Sequence, residues 1–351
     1  MATVAEAGLE AFYSAAVREY EVAVECEGVV ERYLRFGDCR VRLRFAGGGL
    51  AGALLPALAQ RRDDAGGAVH ATIDLWEESA CPRRPVPFPW GAVDIGPGGL
   101  VRGSELDRVV AVHETYSGAL TLVDRAELAL LHRVPDGGAV PWWERAAPLR
   151  PALFWALGGE GRHLVHAGAV GDDRGGVLLA GASGSGKTTV ALAALVHGLG
   201  YLADDYVLLH AAGEPTANSI YSSAKLDHGH LRRFGTLAPA VRFPPAPEAD
   251  QKAVLDVAVS LPGSLRESLP VRAVLVPRIR GGRARLRRAS PADALRAWAP
   301  DTALHMPFDD GAVVAVLAAL VRGVPCFTLD VGDDAGELAG AVDQALELAR
   351  S

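Results

Sequence analysis

One stretch of nine residues limits most strongly what this chain can fold into. It fits the phosphate-binding loop pattern G-x-x-x-x-G-K-[ST] at every required position, as Gly181-Ala182-Ser183-Gly184-Ser185-Gly186-Lys187-Thr188-Thr189. Glycines let successive backbone N–H groups point inward and form a nest for phosphate oxygens. In this pattern the lysine reaches the β- and γ-phosphates and the next hydroxyl binds Mg²⁺, which predicts these roles for Lys187 and Thr188. We call residues 181–189 the glycine loop.

The residues on both sides of the glycine loop favour a nucleotide site. The apolar run over 176–180 predicts a buried parallel strand before the loop. After the loop, residues 188–196 are rich in Ala, Leu and Val and predict a helix that stops at Gly198 and Gly200. Strand, loop and helix in this order place a helix N-terminus behind bound phosphates. The alternative interpretation is a glycine-rich turn between two core elements, and we favour the nucleotide-binding loop.

Composition limits the class of protein. The chain has 351 residues, enough for two domains with separate cores, and half of them are apolar. A formal net charge of −7 argues against a general nucleic-acid binder, which is normally basic. No run approaches the roughly 18 apolar residues of a spanning helix, and no signal-peptide pattern or C-x-x-C pair is present. We therefore expect a cytoplasmic protein without a zinc site, a membrane partner or a nucleic-acid partner.

The first 140 residues predict a small α+β domain to which we assign no chemistry. Four prolines between residues 81 and 90 predict a solvated loop, although Arg83, Arg84 and Trp90 could instead form a recognition surface. A boundary near 134–138 gives domains over 1–140 and 141–351, with Trp142 and Trp143 packing at the junction. The elements expected in the first domain are helices over 2–20 and 49–59 and strands over 32–36, 40–45, 68–76, 109–114 and 119–123.

The second domain predicts alternating strands and helices around the glycine loop. Basic residues cluster from Arg278 to Arg288, and alternation over 283–287 predicts an edge strand whose charges discourage edge pairing. The same cluster could instead bind an acidic partner. The other elements expected are helices over 149–157, 290–299, 313–321 and 337–350 and strands over 163–170, 272–277 and 324–329.

Two adjacent acids interrupt an apolar run shortly after the loop helix. Asp204 and Asp205 lie inside residues 201–209, where burial without partners would be costly. Pairing with arginines is one solution. The other is Mg²⁺ and a transferring phosphoryl group beside Lys187. We favour the second, because the strand that follows the loop helix would end near the phosphates.

Three motifs together resemble the HPr kinase/phosphorylase family. They are the segment His166-Ala167-Gly168-Ala169-Val170, the glycine loop and the segment Leu202-Ala203-Asp204-Asp205. The family comprises bacterial serine kinases whose fold is related to phosphoenolpyruvate carboxykinase, and the resemblance covers residues 150–350. Residues 219–226 look like the branch that includes lasso-peptide precursor kinases. The resemblance implies an α/β P-loop kinase domain, with a mixed sheet and flanking helices, preceded by a smaller α+β domain.

The resemblance also implies a reaction. An ATP- and Mg²⁺-dependent kinase would transfer the γ-phosphoryl group to a serine or other hydroxyl of a peptide, small protein or metabolite. One acid of the pair would bind Mg²⁺ and the other would accept the hydroxyl proton. We assign Asp204, with Thr188, to the metal and Asp205 to the base.

Further site residues follow from the resemblance alone. His166 would contact Asp205 or the γ-phosphate, although a strand histidine by itself is usually a core residue. Lys225 and Arg278 are candidates for closing over the phosphates. The family's hexamers allow a homo-oligomer here, but the chain lacks the arginine-bearing glycine-rich signature of true HPr kinases. HPr as the acceptor therefore does not follow.

Two other functions stay open. A nucleotide-dependent switch or assembly ATPase would hydrolyse nucleotide without a phosphorylated product. The chain lacks the Asn-Lys-x-Asp motif of GTPases, and its acids follow the loop unusually closely, which favours the kinase. A degenerate module that only binds nucleotide is the third interpretation, and the intact Lys187, Thr188 and acid pair argue against it.

Overall fold

The computed structural model describes residues 6–80, 85–159, 161–243, 251–305 and 311–350. These form two compact units, the first up to Gly158 and the second from Gly159 onward. The sequence instead places the boundary near residue 140 and assigns the helix over 149–157 to the second domain. That helix, observed at Arg150–Leu157, packs against the sheet of the first unit and belongs to it. No helix among the described residues combines the length and apolar character needed to cross a membrane.

The first unit consists of one sheet with flanking helices, as expected for an α+β domain. A 3₁₀ segment over Leu55–Arg61 continues its second helix. The described helices and strands are α1 (Glu6–Glu27), β1 (Val29–Phe36), β2 (Cys39–Ala46), α2 (Gly49–Leu54), β3 (Ala71–Glu77), β4 (Val109–Glu114), β5 (Ala119–Asp124), β6 (Ala129–Val134), α3 (Trp142–Ala146) and α4 (Arg150–Leu157).

The six strands lie in the order β1-β2-β3-β6-β5-β4. Both predicted hairpins are present, β1 with β2 and β4 with β5. Strand β6 was missed by the sequence analysis, which places a domain boundary at its end. It is buried in the middle of the sheet, parallel to β3 and antiparallel to β5. Its histidine and arginine break the apolar pattern that would have marked a buried strand.

The aromatic residues of the proline loop are part of the core. Trp90 is only 8% exposed, and its ring lies 5.1 Å from the rings of both Phe12 and Phe88. The interpretation of Trp90 as part of a recognition surface is therefore wrong, and among the described residues of this loop the predicted solvent exposure holds only for Pro85, Pro87 and Pro89. Arg83 and Arg84 lie outside the described residues. Trp142 and Trp143 lie in α3 with ring centroids 5.8 Å apart.

The second unit is a mixed α/β structure. A separate three-stranded sheet has the order β13-β15-β14. The described elements are β7 (Arg162–His166), β8 (Gly168–Asp172), β9 (Gly175–Leu179), α5 (Lys187–Val196), β10 (Gly200–Ala203), β11 (Tyr206–His210), β12 (Thr216–Ser219), β13 (Ser223–Leu226), α6 (His228–Arg233), β14 (Val241–Phe243), β15 (Ala253–Asp256), α7 (Val257–Ser260), β16 (Ser268–Ile279), β17 (Arg285–Ala289), α8 (Pro291–His305), α9 (Ala312–Gly323), β18 (Cys326–Val331) and α10 (Ala335–Leu348).

The long strand β16 organises the main sheet. It pairs in parallel with β9 and β18 and antiparallel with β12. The order continues as β10-β8-β9 on one side and β12-β11-β7 on the other. Helices α5 and α10 cover one face, while α8 and α9 cover the other. The glycine loop, which follows β9, therefore lies at the end of a strand that has helices on both faces.

Strand β17 lies at an edge, as its alternation predicts. Among the described strands it pairs only with β18. Two arginines of the basic cluster are paired with acids, since Arg287 within β17 bonds Asp330 at 2.7 Å and Arg283 before it bonds Glu337 at 2.9 Å. The binding of an acidic partner by this cluster stays a prediction.

Candidate functional site

Two expected strands are broken in the structure, and the breaks create the site. The strand expected over 163–170 divides at Ala167, where β7 ends and β8 begins. The run over 201–209 divides at Asp204 and Asp205, because β10 pairs with β8 while β11 pairs with β7 and β12. The register of β7 with β11 sets His166 opposite Tyr206, the residue after the acids. The two breaks therefore bring a histidine next to the acid pair.

The glycine loop joins β9 to α5, as its flanks predict. Gly181, Gly184 and Gly186 have φ of +142°, +78° and +109°, values that side-chain-bearing residues rarely adopt. A Cβ on Gly186 would also lie 3.0 Å from the Val331 side chain. The loop thus needs glycine at these positions for its backbone path.

Lys187 lies buried within the loop. Its Nζ donates to the carbonyl oxygens of Gly181, at 2.6 Å, and Ala182, at 3.2 Å. Burial lowers the pKa of its ammonium group, although the acids around it oppose that shift. Ser185 Oγ is buried with no hydrogen-bond partner among the described residues. A buried cation beside an unsatisfied hydroxyl fits a loop that receives an anion.

Asp204 lies between the loop and the sheet. Its Oδ1 accepts a hydrogen bond from the Tyr201 hydroxyl at 3.0 Å, and its Oδ2 accepts from the Lys225 backbone N–H at 3.1 Å. The Thr188 hydroxyl donates to the same Oδ2 at 3.4 Å. Burial, followed by repulsion from Asp205, raises the pKa of Asp204. A carboxylate and a hydroxyl oxygen side by side are the ligand types that Mg²⁺ prefers, so Asp204 and Thr188 fit that ion.

Asp205 is held by two cationic partners. His166 Nε2 donates to its Oδ1 at 2.7 Å, and Lys225 Nζ forms an ion pair with its Oδ2. Burial raises the pKa of Asp205, but Lys225 and His166 outweigh burial and hold that pKa well below its usual range. The burial of Lys225 is likewise outweighed by Asp205, so the lysine pKa is raised. Asp205 is therefore a carboxylate at neutral pH.

His166 has a second carboxylate partner, Asp301, which the sequence analysis missed. Its Nδ1 bonds Asp301 Oδ2, while Asp301 Oδ1 accepts the Ser183 backbone N–H at 3.0 Å. Burial lowers the pKa of His166, but the two aspartates outweigh burial and raise it above 6.5. Burial raises the pKa of Asp301, yet His166 and the Ser183 N–H bring it down to about 2. The described contacts thus form a continuous chain from Asp205 through His166 and Asp301 to the glycine loop.

Helix α8 supplies Asp301 because it runs farther than expected. The sequence predicts its end at Ala299, before Pro300, but the observed helix continues through that proline to His305. The Trp298 indole is fully buried and donates to the His166 carbonyl oxygen at 2.9 Å. No spacing pattern marks Asp301 in the sequence, since the partners of its side chain that place it in the site, His166 and the Ser183 N–H, lie more than a hundred residues away.

The trio of His166, Asp301 and His305 has metal-ligand atoms within 4.8 Å of one another. However, His305 Nδ1 bonds the Asp301 carbonyl oxygen at 2.7 Å, a contact in which the ring nitrogen must donate. The Nδ1 of His166 is likewise bonded to Asp301. Hydrogen bonds thus occupy the Nδ1 atoms of both histidines, and we assign no metal to this trio.

Three remaining predicted residues lie in different surroundings. Lys225 contacts the acid pair, as described above. Thr189 faces α6, where its Oγ1 lies 2.9 Å from His230 Nε2. Arg278 is exposed and lines a cavity of about 420 Å³ with Asp301 and the loop residues Gly181 and Ala182. The structure therefore brings together the glycine loop, the acid pair, His166 and Lys225, while Arg278 lines the cavity next to the loop.

Comparisons with known proteins add little to this geometry. No protein-family model matches the chain, and no curated protein matches it. Among solved structures, the chain is similar to the Hpr(Ser) kinase/phosphatase from Coxiella burnetii, with 13% sequence identity and a TM-score of 0.30. That match covers 54% of this chain and 96% of the other. A similarity of this size carries no argument about fold or activity, so any function rests on the site itself.

Proposed function

We propose that the second unit is a P-loop kinase domain of the HPr kinase type. It transfers the γ-phosphoryl group of a nucleoside triphosphate, ATP by the sequence resemblance, to a hydroxyl group. The acceptor is a serine of a peptide or small protein, or the hydroxyl of a small metabolite. The observation that carries the proposal is the position of the acid pair. Asp204 meets the loop hydroxyl of Thr188 while Asp205 is bonded to His166 and Lys225.

The glycine loop and Lys187 would bind the donor. The loop presents backbone N–H groups and the N-terminus of α5, both of which favour phosphate. Lys187 Nζ would exchange its present carbonyl partners for phosphate oxygens. Thr188 and Asp204 would hold Mg²⁺, which neutralises charge on the phosphates when bound. These residues position the donor and offset the negative charge that grows during transfer.

Asp205 would accept the proton. The acceptor oxygen forms a bond to the γ-phosphorus as the bond from that phosphorus to the β–γ bridging oxygen breaks, and the hydroxyl proton passes to Asp205. Each carboxylate oxygen has two lone pairs, so one lone pair on each oxygen remains beside the bonds to His166 and Lys225. A carboxylate with a low pKa is a weak base. That suits a loose transition state, where little bonding to the acceptor has formed and the proton leaves late.

His166 and Lys225 would orient Asp205. Two cationic donors on opposite oxygens fix the plane of the carboxylate and compensate its charge next to Asp204. Without them, two adjacent buried carboxylates would repel each other, and one would take up a proton. The pair therefore keeps the base ionised while Asp204 is reserved for the metal.

The direct test is incubation of the chain with ATP, Mg²⁺ and a panel of serine peptides, small proteins and hydroxyl metabolites, with detection of a phosphorylated product. The Asp205→Asn variant should lose transfer by about 100-fold to 10,000-fold, the range for removal of a general base. Asp256→Asn is the matched control, because Asp256 is also buried but caps α7, a task that asparagine performs equally well.

Two outcomes would contradict the proposal. Asp205→Asn transferring phosphate as fast as the unmodified chain would remove Asp205 from the mechanism. Nucleotide turnover that a partner protein stimulates, with no phosphorylated product from any acceptor, would instead favour a switch or assembly ATPase.

A further inference from the structure

Among the residues that the structure describes, Asp301 is the carboxylate that contacts both the glycine loop and His166. Its Oδ1 accepts the Ser183 backbone N–H at 3.0 Å, and its Oδ2 bonds His166 Nδ1. The same Oδ2 lies 3.8 Å from Lys187 Nζ. The Asp301 side chain is only 10% exposed. A buried carboxylate with partners on both oxygens is held in one orientation.

His166 contacts two aromatic rings and is hydrogen-bonded at both ring nitrogens. Its ring lies 4.4 Å from the His305 ring of α8 and 5.2 Å from the Tyr206 ring of β11. Asp205 and Asp301 take its two nitrogens, and Lys187 of α5 and Lys225 of β13 are the neighbouring cations. Both of these rings are tilted against the imidazole and pack on it. The two carboxylates then decide which way its nitrogens point.

We propose that Asp301 is a positioning residue that fixes the ring of His166, so that Nε2–H points at Asp205, and that anchors this arrangement to the glycine loop. A carboxylate on Nδ1 requires a proton there, and a carboxylate on Nε2 requires a second proton. His166 is then an imidazolium that donates in both directions. This inference deepens the proposed function and rests on it, because Asp205 is the proton acceptor of that reaction.

The hydrogen bond from the Ser183 N–H to Asp301 affects how the glycine loop binds a nucleotide. Asp301 places a negative charge 3.8 Å from Lys187 Nζ and occupies one loop N–H. A phosphate group entering the loop would have to share these donors with the carboxylate. Removing the charge of Asp301 should therefore not weaken nucleotide binding, while it loosens the histidine that orients the base. A residue that only supports the fold would weaken both.

The variant Asp301→Asn tests this split. We expect kcat to fall by about 100-fold, the scale for misplacement of a catalytic group, while KM for ATP stays equal or falls. Asp293→Asn is the matched control, since Asp293 lies on the same helix but is exposed and pairs with Arg296. A parallel rise in KM and loss of kcat, with lowered resistance to urea, would mean a structural role and overturn the proposal.

A double-mutant cycle with His166→Gln separates action through the histidine from independent action. If Asp301 acts through His166, Asp301→Asn should cost less than about 3-fold in the His166→Gln background. An undiminished 100-fold loss in that background would show that Asp301 acts on the reaction by another route and would overturn the positioning role.

A spectroscopic measurement keeps this inference separate from the kinase proposal. The ¹⁵N resonances of the His166 ring should show both nitrogens protonated at pH 7 in the unmodified chain and Nδ1 unprotonated in Asp301→Asn. If this change occurs but no acceptor is phosphorylated, the proposed function fails while the positioning holds. If the ¹⁵N resonances of the His166 ring do not change in Asp301→Asn, the positioning role of Asp301 is wrong, whether or not the chain has kinase activity.

Discussion

The protein has a buried histidine in each unit, and the two show that hydrogen-bond partners determine the charge of a buried imidazole. His132 lies on β6 of the first unit and is 0% exposed, and His166 at the end of β7 is 2% exposed. His132 Nδ1 meets only the neutral Thr121 hydroxyl, at 3.0 Å, and its Nε2 has no partner among the described residues. His166 has a carboxylate on each nitrogen. The two histidines are thus equally buried, but one has a neutral partner and the other has two negatively charged partners.

The pKa values of the two histidines move in opposite directions for this reason. Burial lowers the pKa of His132 to about 4, with nothing to oppose it. For His166 burial also lowers the pKa, but Asp205 and Asp301 reverse the effect. The first is a neutral core residue between strands. The second carries charge next to the glycine loop, which is the pattern expected of functional sites rather than of packing.

The largest expected effect separates the two histidines by activity. His166→Gln should slow phosphoryl transfer by about 100-fold, because Asp205 loses a charged, oriented donor. The matched change His132→Gln should leave transfer within 2-fold but lower the free energy of unfolding by about 1 kcal/mol, since it alters a packed core position. Transfer assays and urea unfolding of both variants check this. Equal losses of activity in the two variants would contradict the assignment of His166 to the site and of His132 to the core.

A smaller effect concerns stability against pH. The folded pKa of His132 lies below its unfolded value of 6.5, so the unfolded chain takes up the proton first as pH falls. Between pH 7 and pH 5 this should remove about 2 kcal/mol of the free energy of unfolding. The contribution of His166 has the opposite sign, because its raised pKa stabilises the fold below pH 6.5 and is lost as pH rises through the folded pKa.

Urea unfolding of the unmodified chain and both glutamine variants at several pH values measures these contributions. His132→Gln should reduce the loss of unfolding free energy that occurs between pH 7 and pH 5. His166→Gln should cost most stability at low pH. A pH dependence unaffected by His132→Gln would show that this histidine is not neutral in the folded chain.

The local parts of the site can be predicted from the sequence, whereas the contacts between residues far apart in the chain cannot. The strand, loop and helix around Lys187 follow from apolar runs, glycines and a helix stop, all of which act over a few residues. The closeness of Asp204 to the loop was expected from strand order. The breaks at Ala167 and at Asp204 and Asp205 were not expected, because a break between strands depends on which neighbouring strands they pair with.

Asp301 is the clearest example of a site residue that the sequence does not predict. Proline normally ends a helix or disrupts its interior, and Pro300 therefore predicts a stop. In the structure α8 continues, with Trp298 buried against the sheet and bonded to the His166 carbonyl oxygen. Tertiary packing outweighs the local preference here. Neither Asp301 nor the contrast between His132 and His166 can be inferred from residues adjacent in the sequence.

The most direct test of this account is the protonation state of the two histidines in one sample. Ring ¹⁵N resonances recorded at pH 7 should show His166 with both nitrogens protonated and His132 with one. Replacing Asp205 or Asp301 by asparagine should change only the His166 signals. A neutral His166 in the unmodified chain, or a charged His132, would contradict the claim that carboxylate partners, and not burial, set the charge at the candidate site.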